Sequence, residues 1–261
     1  MDIKYNTLIV KRHGEVLWLY LDRPEVFNAL DQTMRLEFKD VLTRISRDQS
    51  TRVLVITGSG KAFCSGGDLR SMGNQLGNVT ETRERLQDLQ EMTRSIVNLP
   101  QPVIAAVNGP AAGAGCNIAL TCDIVIAAEE AVFGEVFVKV GLVPDAGGSF
   151  LLPRLVGLRK AKELVFKGEM VGAREAERIG LINLAVPGPD LHKVTMEWAN
   201  KLAEGPALAL QLGKWLLNRS LNNNLEDMLE REEVSQVLCL QSEEHKEGVR
   251  AFLEKRKPVF K

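Results

Sequence analysis

The sequence predicts an α/β fold whose last third is helical. Three observations carry that expectation. Val53–Thr57, Val103–Val107 and Asp123–Ala128 carry apolar runs, the pattern of strands buried on both faces. Between such runs lie segments of helical spacing, as in Met34, Phe38, Val41, Leu42 and Ile45. From Lys160 onward helix signals dominate, over 160–167, 173–179, 190–204, 206–220, 225–238 and 242–255.

In chain order, Leu8–Val10 and Val16–Leu21 read as two strands around a turn at Arg12–Gly14. Asp22–Glu25 ends the second strand, and Asp31 is placed to cap a helix over Gln32–Ser46. After the third strand, Lys61–Leu69 is a strand end running into the double-glycine turn Gly66–Gly67 and then a helix start, which Asp68 could cap. Residues 73–85 are polar and glycine-containing and predict a loop, either a wall of a binding site or a plain connector. A helix is expected over Leu86–Asn98, ending before Leu99–Pro100. Ala131–Gly134 and Val136–Val138 read as extended, Val140–Ser149 as a proline-fixed glycine-rich turn, and Ile182–Val186 as a short strand.

Composition excludes several function classes. The chain has 261 residues, a formal net charge of -1, four cysteines and three histidines. That charge offers nothing to nucleic acid or to an anionic membrane surface. The cysteines show no paired spacing, which suits free thiols in a reducing compartment. His13, His192 and His245 stand far apart, so neither a histidine metal site nor a histidine-based triad is expected. M-D-I-K-Y-N lacks the apolar core of a secretory signal and no apolar run has membrane-spanning length, so we expect a cytoplasmic protein.

The chemically suggestive stretch is V-I-A-A-V-N-G-P-A-A-G-A-G-C-N-I-A-L-T-C (103–122). After the strand and the break at Asn108–Pro110, almost every side chain is small. Glycine inside a helix costs about 1 kcal/mol relative to alanine. Gly113 and Gly115 at a helix start therefore have a reason. Either backbone N–H groups there approach a bound group, where the helix dipole favours negative charge, or the helix packs tightly on the sheet.

Three stretches in this order resemble the crotonase (enoyl-CoA hydratase/isomerase) superfamily: K-A-F-C-S-G-G-D-L (61–69), V-I-A-A-V-N-G-P-A-A-G-A-G-C (103–116) and G-L-V-P-D-A-G-G-S (141–149). L-D-R-P-E-V-F-N-A-L (21–30) and A-F-L-E-K-R-K-P-V-F (251–260) resemble the family's ends. The resemblance implies a crotonase-like spiral of ββα units over residues 1–200. A helical trimerisation region would occupy 201–261, giving a homotrimer or hexamer. It implies an acyl-CoA thioester as the bound molecule, coenzyme A being part of the substrate, with no other cofactor and no metal. By position, the N–H groups of Gly67 and Ala114 would form an oxyanion hole. Arg23 to Val26 would line the CoA groove, and Cys64, Ser65, Gly66, Asp68 and Leu69 would contact the adenine side. Phe252 and Lys255 match CoA-contacting positions, although a basic terminus is also an ordinary solvated surface.

Hydratases of this family resemble one another in carrying two glutamates, one directly after the G-x-G-C turn and one before the second glycine-rich turn. Here those positions hold Asn117 and Phe137. Hydration needs one group to activate water and another to manage the proton at Cα, and neither residue can do so. Asp145, in V-P-D-A-G-G, is the pattern of family isomerases, and 141–154 most resembles the 1,2-epoxyphenylacetyl-CoA isomerases. One carboxylate suffices to move a proton between two carbons of an enolate. Read by itself, without the resemblance, Asp145 is better explained as a turn residue holding its own backbone. The expected activity is an acyl-CoA isomerisation with Asp145 as sole acid/base. The alternatives are a hydratase with atypical groups, Glu135 among them, and a non-catalytic acyl-CoA-binding homologue.

Overall fold

The computed structural model describes residues 4–68 and 78–260. β1 (Leu8–His13) and β2 (Val16–Leu21) form the expected antiparallel hairpin, in register from Leu8↔Leu21 to His13↔Val16. β3 (Val53–Gly58), β4 (Val103–Val107), β6 (Ile124–Ala128) and β9 (Leu184–Val186) add in parallel. Among the described residues this sheet runs β1-β2-β3-β4-β6-β9. A second sheet joins β5 (Ala111–Ala112), β7 (Val132–Gly134) and β8 (Met170–Gly172).

The unbroken apolar runs have the reason the sequence suggested, since strand side chains alternate between faces and both faces are covered. Leu17, Leu19, Leu54, Ile56, Ala105 and Ala127 pack on one side with α1 (Gln32–Ile45), α2 (Val79–Val97) and α3 (Ala114–Thr121). Trp18, Val53, Val55, Ile104, Ala106 and Ile126 pack on the other with α7 (Leu191–Ala203). Asp31 caps α1 as expected, accepting from the Met34 N–H at 2.8 Å.

One helix boundary differs from expectation. Residues 79–85 are the first two turns of α2, which starts seven residues before the predicted Leu86. Asn78 caps it, accepting from the Glu81 N–H at 3.0 Å, and the Glu81 side chain answers the Asn78 amide at 3.3 Å. This turn is exposed, so it needs no apolar face and its cap replaces the missing periodicity signal. The rest of the expected loop, 73–77, lies outside the described residues.

α4 (Gly148–Val156) and α5 (Leu158–Lys167) come after the second glycine-rich turn, and α6 (Ala173–Arg178) comes after β8. α8 (Ala207–Ser220), α9 (Leu225–Leu240) and α10 (Glu243–Leu253) close the chain. Lys214 staples α8 to the core. It is half-buried, and its Nζ reaches Asp123 Oδ2 at 2.7 Å and the Gln101 carbonyl at 3.1 Å. Glu244 receives the N–H groups of Ala207 and Leu208 at the start of α8. Among the described residues no helix is long and apolar enough to cross a membrane.

Candidate active site

Three segments distant in sequence are laced together at one place. Cys64–Asp68 runs between the loop 23–31 on one side and 110–114 on the other. The Ser65 N–H donates to the Phe27 carbonyl at 3.0 Å, Leu30 N–H to Gly66 at 2.8 Å, and Asp68 N–H to Leu30 at 3.2 Å. Opposite, Cys64 N–H donates to the Pro110 carbonyl at 3.2 Å, and Ala112 N–H to Cys64 at 3.0 Å. Asn28 anchors the first loop. It is fully buried at a left-handed φ of 57°, a conformation asparagine tolerates, and its Nδ2 donates to Ser59, Ala62 and Phe63 carbonyls at 2.9, 2.8 and 3.2 Å. The Arg23 guanidinium lies inside the same loop, donating to the Ala29 carbonyl at 2.6 Å and reaching Asp68 at 3.2 Å and Asp31 at 3.4 Å.

Two glycines allow the segments to touch. Gly66 has φ +96°, and a Cβ there would lie 2.8 Å from the Ala112 carbonyl oxygen and 3.5 Å from the Ala114 nitrogen. A Cβ on Gly115 would fall 2.2 Å from the Cys64 carbonyl oxygen. The small residues of 111–116 thus serve close packing against Cys64–Gly66. That packing puts the start of α3 against Gly66, the residue before Gly67. The N–H of Gly67, on an exposed residue, and that of Ala114, the first residue of α3, find no acceptor among the described residues. An orphan donor at a helix start, as at Ala114, can receive an anionic oxygen.

α3 also reaches the second glycine-rich turn. One turn after Ala114, the buried Asn117 sends its Nδ2 to the Asp145 carbonyl at 3.0 Å and to Glu135 Oε2 at 3.4 Å. Asp145 is half-buried, and its Oδ1 is buried with no hydrogen-bond partner among the described residues. Burial pushes its carboxyl up to about 6, against a hydrogen bond from its own backbone N–H. Both readings of this residue therefore have a counterpart in its surroundings.

Val136–Val138 is not extended, as the sequence suggested. It belongs to a 3-10 turn, Val136–Val140, with Glu135 at its entrance. This carries the buried Phe137 ring over Gly113, where a Cβ would lie 3.7 Å from the ring. It also removes the strand spacing that would put Glu135 and Phe137 on one face. Glu135 is 2% exposed and turned to Cys116 and Asn117. Desolvation, reinforced by the nearby Asp145, raises its carboxyl to about 7.

Of the residues singled out in the sequence, Gly66, Ala114, Asn117, Phe137 and Asp145 come together around α3, and Gly67 follows Gly66 in the bridge to Leu30. Arg23, Cys64 and Asp68 are tied into the lacing, Cys64 by its Sγ on the Asn28 carbonyl at 3.1 Å and Val26 by its carbonyl, which accepts from Ser65 Oγ at 3.2 Å. Leu69, and the start of any helix that Asp68 caps, lie outside the described residues. Phe252 and Lys255 are on and just after α10, and no hydrogen bond or ion pair joins them to these turns among the described residues. Phe252 instead lines a groove with Pro206, Cys239 and Phe260. Sequence reasoning missed the Glu135–Asn117–Asp145 cluster and the lacing role of Asn28, both of which depend on partners far away in the chain. It also missed that His13 and His192 meet, their rings 6.2 Å apart beside Trp18.

The sequence profile of the Enoyl-CoA hydratase/isomerase family matches residues 11–261. The chain belongs to that family. It is 43% identical to the probable enoyl-CoA hydratase of Rhodobacter capsulatus, over 99% of both chains. It is 38% identical to the 1,2-epoxyphenylacetyl-CoA isomerase of Escherichia coli, over 94% of both. The crystal structure of an enoyl-CoA hydratase from Bacillus anthracis superposes with a TM-score of 0.94 at 34% identity, covering 98% of this chain and 99% of that one. The fold is the mixed α/β crotonase fold with its helices C-terminal, as expected for an enoyl-CoA hydratase/isomerase.

The two raised carboxyls in this family member have a consequence for stability. Each keeps its proton when folded at a pH where the unfolded chain has released it. The stabilisation is full below about pH 4 and is lost as the pH rises through about 6 to 7. Glu135→Gln should therefore raise stability at pH 8 by about 2–3 kcal/mol, or about 4–6 °C in Tm, and little at pH 4.5. Thermal unfolding at the two pH values measures the difference.

Proposed function

We propose that this chain is an acyl-CoA isomerase that shifts a double bond in the acyl part of its substrate through a thioester enolate. The N–H groups of Gly67 and Ala114 take the thioester oxygen as charge develops on it. A single oxyanion donor of this kind is worth about 3–4 kcal/mol in the transition state. Asp145 removes a proton from one carbon and returns it to another, so its carboxylate ends the cycle as it began. Coenzyme A enters as part of the substrate, and this chemistry requires no further cofactor.

One observation carries the reading. Asp145 combines partial exposure with a hydrogen-bonded tie to α3, while the two positions of the hydratase glutamates hold an amide and a phenyl ring. A carboxyl poised near 6 is suited to giving and taking a proton near neutral pH. Phe137 over Gly113 makes an apolar wall where water activation would need a polar one.

The hydratase reading has support of its own, since the relative at 43% identity carries a hydratase name and Glu135 is a second carboxyl group. Against it, Glu135 is buried and faces Cys116 and Asn117. The two are separated by offering the protein a 3-enoyl-CoA and a 2-enoyl-CoA. We expect conversion of the first to the conjugated 2-enoyl thioester without accumulation of 3-hydroxyacyl-CoA. Water addition as the main reaction would establish the hydratase instead. Tight CoA binding with neither reaction would favour a non-catalytic homologue.

A homotrimer or a hexamer built on the C-terminal helices is part of the proposal. It is supported by Leu217, Leu225, Leu229 and Phe252, large apolar residues left exposed on α8, α9 and α10, and by Leu221 just after α8. A cytoplasmic location, without nucleic acid or membrane as partner, fits the net charge of -1.

A further inference from the structure

A buried carboxyl group with no part in the chemistry above sits directly behind Asp145. Glu135 comes just after β7 and leads into the 3-10 turn. Its Oε2 accepts from Asn117 Nδ2 at 3.4 Å, and the same nitrogen donates to the Asp145 carbonyl at 3.0 Å. Glu135 Oε1, Asn117 Oδ1 and Asp145 Oδ1 are all buried without a hydrogen-bond partner among the described residues. Three orphaned oxygens in one cluster call for a reason, because each is costly to bury.

An ion pair is not that reason. The titratable groups facing Glu135 are the Cys116 thiol on α3, Asp145 across the amide, and Glu169, which lines the same small cavity. Among the described residues no lysine or arginine joins them. The Asn117 amide is also gripped from its other side. A Cβ on Gly148, the first residue of α4, would fall 2.3–2.6 Å from its side-chain atoms. Its two acceptors fix which way it points. A carboxylate at 117 would meet a carbonyl and a carboxyl with no proton of its own to donate when ionised. The asparagine at 117 and the glutamate at 135 are therefore a matched pair.

We propose that Glu135 is a positioning residue for Asp145, acting through the Asn117 amide to fix the turn that presents the Asp145 carboxylate. The inference rests on the reading of Asp145 as the acid/base.

The test is the steady-state kinetics of 3-enoyl-CoA isomerisation in Glu135→Ala, Glu135→Gln, Asn117→Asp and Asp145→Asn. Misplacement of a catalytic group is expected to lower kcat of Glu135→Ala by about 10- to 50-fold, with KM within about two-fold. Glu135→Gln keeps an acceptor for the amide and is expected to recover kcat to within about three-fold of the unaltered protein. Unchanged kcat in Glu135→Ala, equal loss in both Glu135 variants, or a change confined to KM would each overturn the inference. Should Glu135→Ala fail to fold, Asn117→Asp replaces it. This isosteric change removes the donor and is expected to lose kcat to a similar degree, and full activity would overturn the inference. An active Asp145→Asn overturns the acid/base reading and this inference with it. An inactive Asp145→Asn beside a fully active Glu135→Ala overturns this inference alone.

Discussion

Asp145→Asn is expected to lower kcat by at least about 10³-fold while leaving the Kd for a CoA thioester within about two-fold. The substitution keeps size and hydrogen-bonding shape and removes only the capacity to carry a proton. Coenzyme A recognition would use other segments, so binding and turnover should separate cleanly. In the unaltered protein, kcat should fall about ten-fold per pH unit below about 6, because burial raises Asp145 to that value and its charged form is the base. Measuring kcat from pH 4.5 to 8, with the Kd of both proteins by calorimetry, checks all three statements. A variant that still isomerises would remove Asp145 from the chemistry and leave it a turn residue bonded to its own backbone.

Gly115→Ala is expected to be a strongly damaging single-methyl change in the site. The new Cβ would lie 2.2 Å from the Cys64 carbonyl oxygen and 2.7 Å from the Cys64 Cβ, both parts of a fixed segment. The start of α3 must then move off Cys64–Gly66, separating the Ala114 and Gly67 N–H groups. We expect a loss of about 3 kcal/mol of stability and a fall of about 10²- to 10³-fold in kcat. Gly172→Ala, where no atom lies within 4 Å and φ is ordinary, should change either by little. Thermal unfolding and isomerase kinetics on the two variants make the comparison. Similar behaviour of both would mean that the contact between the two turns does not hold the donors in place.

The strands were legible because β3, β4 and β6 are buried on both faces and leave unbroken apolar runs. α1 was legible down to its cap at Asp31. The early start of α2 was not, because Val79–Glu84 are exposed and only the Asn78–Glu81 pair marks the beginning. β8 is three residues long and takes its identity from pairing with β7. The turn at Val136–Val140 reads as extended from composition, since its apolar residues suit a strand equally well. Within the site, the glycine-rich turns and Asp145 announced themselves by local chemistry. Glu135 did not, because nothing near it in sequence indicates that it faces Asn117, eighteen residues earlier. Phe252 and Lys255 were carried by the family resemblance alone, and no hydrogen bond or ion pair among the described residues ties either to the turns around α3.

The most direct measurement is a crystal structure with an unreactive acyl-CoA thioester analogue bound. The thioester oxygen should lie about 2.7–3.1 Å from both the Gly67 and Ala114 nitrogens, with an Asp145 carboxylate oxygen within about 3.5 Å of the acyl carbon that loses its proton. A thioester oxygen bound away from those two nitrogens, or the Phe137 ring standing between Asp145 and the acyl chain, would contradict the mechanism.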